Sequence, residues 1–418
     1  MFIFFLYSHS GTEASITWRQ AVDLGLRHNA QILQAQKTLE EVSGSKLIAE
    51  SQLYPQLQTS FFPLPPILLL NFQQSIFTPG VFPAIDKAAE AQEAATANVQ
   101  LEILEFVFNS KIAFLRILLL EKEIVLQNEF AAKLKAQLDL LPGLFEAGKV
   151  DRGDIQTMEV RLELTRSNIE DLKYEKEKAV LEFADLLGTS KALIVLQRGV
   201  IGFLQDRDLQ LPSIDELVTI ALQNRQDLKL LQQLVDVDRK DVRMEAASYY
   251  PRMVSFLNGD FRTETPDALA EFDTRRDEDD DEVEQSNMQL GVRINWRLFD
   301  GFRTKGDKQA ANAVLAQRSV LLDAVRRNIP GEVSGVVRQY KDARRIYRMF
   351  QDSDLSKQNS EQVKLAFIQN KITQVEVFKA EEESFLWERN KLLALYNMEL
   401  ACVNLYAATG QLVKLIEN

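Results

Sequence analysis

The chain has 418 residues, 46% of them hydrophobic and 26% charged, with a formal net charge of −12. That charge argues against nucleic acid as a partner, and only 17 Gly and 11 Pro in this length argue against a sandwich of many short strands. A single cysteine, Cys402, and two histidines, His9 and His28, exclude an internal disulfide and a Cys/His metal set.

The first 14 residues, "MFIFFLYSHSGTEA", resemble the tail of a secretory signal with cleavage near Ala14–Ser15, although no Lys or Arg precedes the apolar run. Ser15 rather than a cysteine stands directly after that point, so no lipid anchor is expected, and no window is apolar enough for a transmembrane helix. A helix is expected over 17–53, opened by Thr17 as N-cap and closed by Tyr54-Pro55. Strands are expected at about 55–62 and 67–77, joined through Pro63-Leu64-Pro65-Pro66. A very long helix over about 84–146 follows, then a break at Gly148 and a last helix over 151–187 ending at Gly188.

The same plan then recurs. A shift of 196 brings Tyr54-Pro55 onto Tyr250-Pro251, and a shift of 222 brings Phe145, Lys149, Asn168 and Gly188 onto Phe367, Lys371, Asn390 and Gly410. Two structural repeats are expected, 15–200 and 201–418. The second has a helix over 213–249 opened by Ser213, strands at about 252–262 and 287–299, a long helix over 303–369, and a last helix over 374–409. A helix of 60-odd residues would span roughly 95–100 Å. Pro142-Gly143 and Pro330-Gly331 are expected to kink the long runs. The extra length of the second repeat falls at 264–284, where eleven acidic residues and two Arg carry nine of the twelve net negative charges. Such a run reads as a solvated loop.

The segment 288–301, "MQLGVRINWRLFDG", carries the functional signal. Met288, Leu290, Val292, Ile294, Trp296 and Leu298 alternate with polar or small residues, which is strand periodicity. The second strand alternates more loosely, with Leu68, Leu70, Phe72 and Ile76 against Asn71, Gln73 and Ser75. One face of large apolar residues and one polar face over about ten residues suit a tilted strand of a transmembrane barrel. Leu290, Val292, Ile294 and Trp296 would face lipid; Arg293 and Asn295 would face a water-filled lumen. Such a barrel must close, and eight strands are about the smallest closed barrel, so four strands per chain imply several chains in one barrel.

The paired segments "YPQLQTSF" and "YPRMVSFL", "IFTPG" and "LFDGFRTKGD", and "FEAGKVDRGDIQTMEV" and "FIQNKITQVEVFKAEE" resemble the TolC-type outer-membrane efflux family, in its order and with its duplication, over about 16–412. The resemblance implies a mostly α homotrimer whose helical barrel continues into a shared twelve-stranded β-barrel. It implies an outer-membrane location with a long periplasmic portion. It also implies passive conduction for a periplasmic adaptor and an inner-membrane pump, in efflux or type I secretion, with no cofactor and no enzymatic chemistry. The adaptor would dock at the turns Gly148, Lys149, Val150 and Asn370, Lys371, Ile372. Asp154, Glu376 and Lys379 would form the pore constriction. The chain departs from the family gate, with Phe367 in place of a tyrosine, Ile372 in place of an arginine, and Lys379 in place of a second acid.

Other patterns carry less. "GLFEAGKV" at 143–150 nearly matches a phosphate-binding loop but has Val150 where the loop needs Ser or Thr, and it follows a helix. His28, Glu381-Glu382-Glu383 and Arg344, Arg345 and Arg348 read as ordinary helix-surface residues. A soluble coiled-coil scaffold is the alternative reading, but it has no use for the strand pairs.

Overall fold

A computed structural model describes residues 16–63, 66–188, 200–201, 210–262, 286–351, 355–369 and 371–417. In chain order these form β1 (Ile16–Thr17), α1 (Trp18–His28), α2 (Ala30–Ser51), β2 (Gln56–Pro63), β3 (Pro66–Phe77), α3 (Val81–Glu146), α4 (Arg152–Leu187) and β4 (Val200–Ile201). Then follow α5 (Ile214–Asn224), α6 (Gln226–Ala247), β5 (Arg252–Arg262), β6 (Ser286–Asn295), α7 (Arg303–Gln351), α8 (Leu355–Ile368), α9 (Gln374–Ala408) and α10 (Val413–Glu417). The acidic run 264–284 and Leu64-Pro65 lie outside the described residues. No described helix is long and apolar enough to cross a membrane.

The chain divides into two compact units, one of residues 1–35, 99–226 and 325–418, the other of 36–98 and 227–324.

The smaller unit holds an antiparallel sheet in the order β2-β3-β5-β6. β5 occupies the expected 252–262, and β2 and β3 lie within a residue of expectation. β6 ends at Asn295, short of the expected 299, so Trp296 stands just past the strand. Asn295 pairs with Arg252, the first residue of β5. Pro251 precedes it and has no N–H with which to extend the ladder. The Trp296 indole N–H instead donates to the Tyr249 carbonyl at 3.2 Å. In β3 a bulge falls between Ser75 and Phe77, so Ile76 drops out of the alternation and Phe77 takes the rung opposite Met253. Ion pairs tie the helices of this unit together. Lys87 meets Asp241 at 2.5 Å, Lys240 meets Asp86 at 3.0 Å, and Arg318 meets the largely buried Asp238 at 2.5 Å.

The larger unit corrects the expected first helices. The run 17–53 is two helices with Asn29 extended between them (φ −62°, ψ 127°), and 213–249 is two helices with Arg225 extended between them (φ −62°, ψ 121°). Thr17 and Ser213 are N-caps as expected. The break has a physical cause. The Asn29 side-chain oxygen accepts from the N–H groups of Gln31 and Ile32 at 3.0 and 3.1 Å, capping the second helix, while its amide donates to the Leu186 carbonyl at 2.8 Å. Gly188, left-handed at φ +72°, lies so close that a Cβ there would sit 2.2 Å from the His28 carbonyl oxygen. The same contact recurs in the second half, where a Cβ on Gly410 (φ +68°) would lie 2.8 Å from the Arg225 nitrogen. Gly410 itself follows the cap residue, Thr409. Around the first junction Ala21, Val22, Phe106, Phe114, Phe183 and Leu187 are buried, with the Phe114 and Phe183 rings edge to face at 6.2 Å.

α3 is one unbroken helix of 66 residues with Pro142 inside it, and Pro330 lies inside α7. The expected run 303–369 is described as α7 and α8, with 352–354 outside the described residues.

Gly188→Ala places a methyl group against backbone in a left-handed conformation that costs about 1–3 kcal/mol by itself. It should lower the thermal unfolding midpoint of the detergent-solubilised protein clearly. An unchanged midpoint would mean that the junction yields freely.

Candidate channel wall and helical tip

The pairing register sorts the strand residues onto two faces. Directly paired residues share a face. Met288, Leu290, Val292 and Ile294 of β6 therefore lie with Met253, Leu257 and Phe261 of β5, Leu68, Leu70 and Phe72 of β3, and Leu57 and Phe61 of β2. Leu290 is 80% exposed and Ile294 62% exposed, and Trp296 continues the row, also exposed. The opposite face carries Gln58, Asn71, Gln73, Asn258, Gln289, Arg293 and Asn295, and it curves over a groove lined in part by Gln58, Asn71, Asn258, Asp260 and Gln289. Leu290, Val292 and Ile294 thus share one face and Arg293 and Asn295 the other, while Trp296 lies past the strand end and Ile76 falls out of the alternation. β2 and β6 are the edges of the sheet, each paired on one side.

Contiguous apolar surface of this extent is costly in water. A hydrocarbon environment removes that cost but forbids unpaired strand edges.

The helical tip lies in the larger unit. Gly148 has φ +70°, and the Lys149 N–H reaches back to the Leu144 carbonyl at 2.9 Å, a glycine-terminated helix end. Lys371 makes the corresponding bond to the Ala366 carbonyl at 3.0 Å; Asn370 lies outside the described residues. The next helices open with capping boxes that the sequence reading missed. The Asp154 N–H donates to the Asp151 carboxylate at 2.8 Å while the Asp154 carboxylate accepts from the Asp151 N–H at 3.1 Å. The Glu376 carboxylate accepts from the Thr373 N–H at 2.7 Å and from its hydroxyl at 3.0 Å. The signal was present as D-x-x-D and T-x-x-E directly after each turn. Two of the three residues expected at a constriction therefore anchor helix starts.

Asp154 and Lys379 come together with Val150, Arg161, Gln374 and Phe378 around a small cleft of about 60 Å³, whereas Phe367, Lys371 and Ile372 do not line it. Beside it Phe130, Leu134, Leu141, Met158, Leu162 and Phe378 form a buried cluster. The Arg161 guanidinium lies 4.5 Å from the centre of the Phe378 ring and pairs with Glu382. Gln137 bonds to Glu381, and Arg389 pairs with the buried Glu123 at 3.2 Å. Polar links thus join α9 to α3 and α4. Among the described residues no group of His, Cys, Asp and Glu is placed to hold a metal ion.

A small four-stranded antiparallel sheet with two unlike faces and helices of up to 66 residues define the class of fold. Residues 217–411 match the family model described as "Outer membrane efflux protein". That match lies in the second half of the chain and covers somewhat less than half of its length. A membrane protein from Pseudomonas aeruginosa has the same fold at 18% identity and a TM-score of 0.77, over 94% of this chain and 90% of that one. The outer membrane protein VceC from Vibrio cholerae matches at 16% identity and 0.76, over 94% and 96%. The Campylobacter jejuni CmeC outer membrane channel matches at 14% identity and 0.75, over 99% and 93%. No curated protein matches the sequence.

The capping bonds from Thr373, with a smaller contribution from the Lys379 charge, hold the Glu376 carboxyl below its ordinary value of 4.5. A depressed pKa stabilises the folded state fully above that ordinary value, and the contribution is lost as pH falls through the lower folded value. Glu376→Gln should therefore unfold at a lower temperature than the wild type at pH 7, with the gap closing below about pH 4.5. A gap independent of pH, followed by thermal melts, would contradict this assignment.

Proposed function

We propose that three copies close edge to edge into a twelve-stranded barrel that conducts efflux or secretion substrates passively across the outer membrane. The observation that carries this reading is the sheet itself. It pairs an exposed apolar face with an amide-lined face, and both its edges are open. Joining β2 of one copy to β6 of the next satisfies both edges and turns the amide face inward. The helices then line a periplasmic conduit, with its tip at the Gly148–Val150 and Lys371–Ile372 turns. A periplasmic adaptor attached to an inner-membrane pump docks at that tip, together with Asn370.

We further read the two halves as duplicated units, 15–200 and 201–418. Asp154, Glu376 and Lys379 form the constriction. Lys379 offsets part of the acidic charge there, so the channel discriminates for cations less than a purely acidic ring would.

Detergent extraction of outer membranes should yield a species near three times the 47.7 kDa chain. A monomer or dimer in the aqueous fraction would favour the coiled-coil scaffold instead. Leu290→Lys puts a charge on the lipid face in the middle of β6, costing about 2–4 kcal/mol near the bilayer midplane, and should reduce the trimer recovered from membranes, whereas Gln289→Lys should not. Lys379→Asp should raise the K⁺/Cl⁻ permeability ratio in planar bilayers; an unchanged ratio would remove Lys379 from the constriction.

A further inference from the structure

The amide face of the sheet is not uniform in charge. Its polar side chains are mostly neutral amides and hydroxyls, such as Gln58, Ser60, Asn71, Gln73, Asn258 and Gln289, with apolar Phe62, Leu69, Val254 and Phe256 among them. Two arginines break the pattern at one end. Arg252 pairs with Asn295 and Val254 pairs with Arg293, so the two guanidinium groups are diagonal neighbours on one face. Diagonal positions in an antiparallel pair lie roughly 7–8 Å apart at the backbone, so two like charges repel there.

No carboxylate occupies these rungs, and neither arginine forms an ion pair among the described residues. The acid on this face, Asp260, pairs with Asn287, well along the strands toward the opposite end. Arg293 is also held in place. Its guanidinium lies 5.0 Å from the centre of the Phe256 ring. Phe256 can lie over β6 because its rung partner is Gly291, where a Cβ would come within 2.8 Å of the ring. Glycine, aromatic ring and guanidinium form a stacked platform that fixes a positive charge on the wall without neutralising it. The platform stands at the end of the sheet where β3 continues through Thr78 toward α3 and β6 toward α7.

We infer that Arg252 and Arg293 form an anion-favouring collar where the strand wall meets the helices, selecting for negatively charged substrates at that level of the conduit. This rests on the proposed barrel: with three copies the collar holds six guanidinium groups on the lumen side. The collar acts through its field, so its influence grows as salt falls, the screening length rising from ~10 Å at 0.1 M to ~30 Å at 0.01 M.

The test is the reversal potential of the purified protein in planar bilayers under dilute KCl gradients. Replacing both arginines by glutamine should lower the Cl⁻/K⁺ permeability ratio at least two-fold at about 10 mM salt, with the change shrinking as salt is raised, as screening requires. Arg293→Lys, which keeps the charge, should restore most of the ratio when Arg252 is intact, and Asp260→Asn should move it the other way. Recovery of the trimer from membranes reports that each variant has folded. Wild-type channels with a ratio indifferent to the double substitution would overturn the collar alone. A wild-type protein that forms no channel would overturn the proposed conduction and the collar with it.

Discussion

The rest of the molecule follows from how one small sheet satisfies its backbone. An open strand edge leaves a row of N–H and C=O groups that water can solvate and hydrocarbon cannot. β2 and β6 are such edges, and the apolar face between them is far too exposed for a protein meant to stay in water. In the proposed barrel, closure with identical neighbours answers both problems at once, because each β2 edge then meets a β6 edge. The register makes this workable. It gathers Leu57, Phe61, Leu68, Leu70, Phe72, Leu257, Leu290, Val292 and Ile294 on one side and most of the amides on the other, where Phe62, Leu69 and Phe256 are interspersed and Gln74 is the amide left on the apolar side.

The helical part follows a different constraint. Long helices of this kind gain little from their own propensity and depend on packing. In the larger unit that packing is anchored where Gly188 meets the His28–Asn29 break, and again where Gly410 meets Asn224–Arg225. At the tip, the apolar cluster around Phe378 is overlaid by Arg161–Glu382, Gln137–Glu381 and Arg389–Glu123, which fix α9 against α3 and α4. Exposed pairs contribute little individually, but Glu123 is buried, so losing Arg389 would leave a charge without compensation.

Much of this was legible in the sequence because it is written in short-range patterns. Period-two alternation from Met288 to Asn295 identified β6 and both of its faces. Tyr-Pro marked the passage from helix to strand, and Gly148 and Gly188 marked helix ends. What escaped notice depends on partners distant in the chain or on subtler local chemistry. Nothing near Asn29 breaks the helical pattern; the break comes from the Leu186 carbonyl and the approach of Gly188. The strand end at Asn295 is set by Pro251 on the neighbouring strand, and the displacement of Ile76 by pairing with β5. The capping boxes of Asp151 with Asp154 and Thr373 with Glu376 are local patterns, D-x-x-D and T-x-x-E, written directly after each turn.

The central claim is that the two faces of the sheet meet different solvents. The most direct test introduces single cysteines from Asn287 to Asn295 in a Cys402→Ser background and labels intact outer membranes with a water-soluble maleimide. The account predicts alternation: positions 287, 289, 293 and 295 react while 288, 290, 292 and 294 are protected. Uniform reactivity along the strand would show that both faces meet water, and the barrel reading would fall.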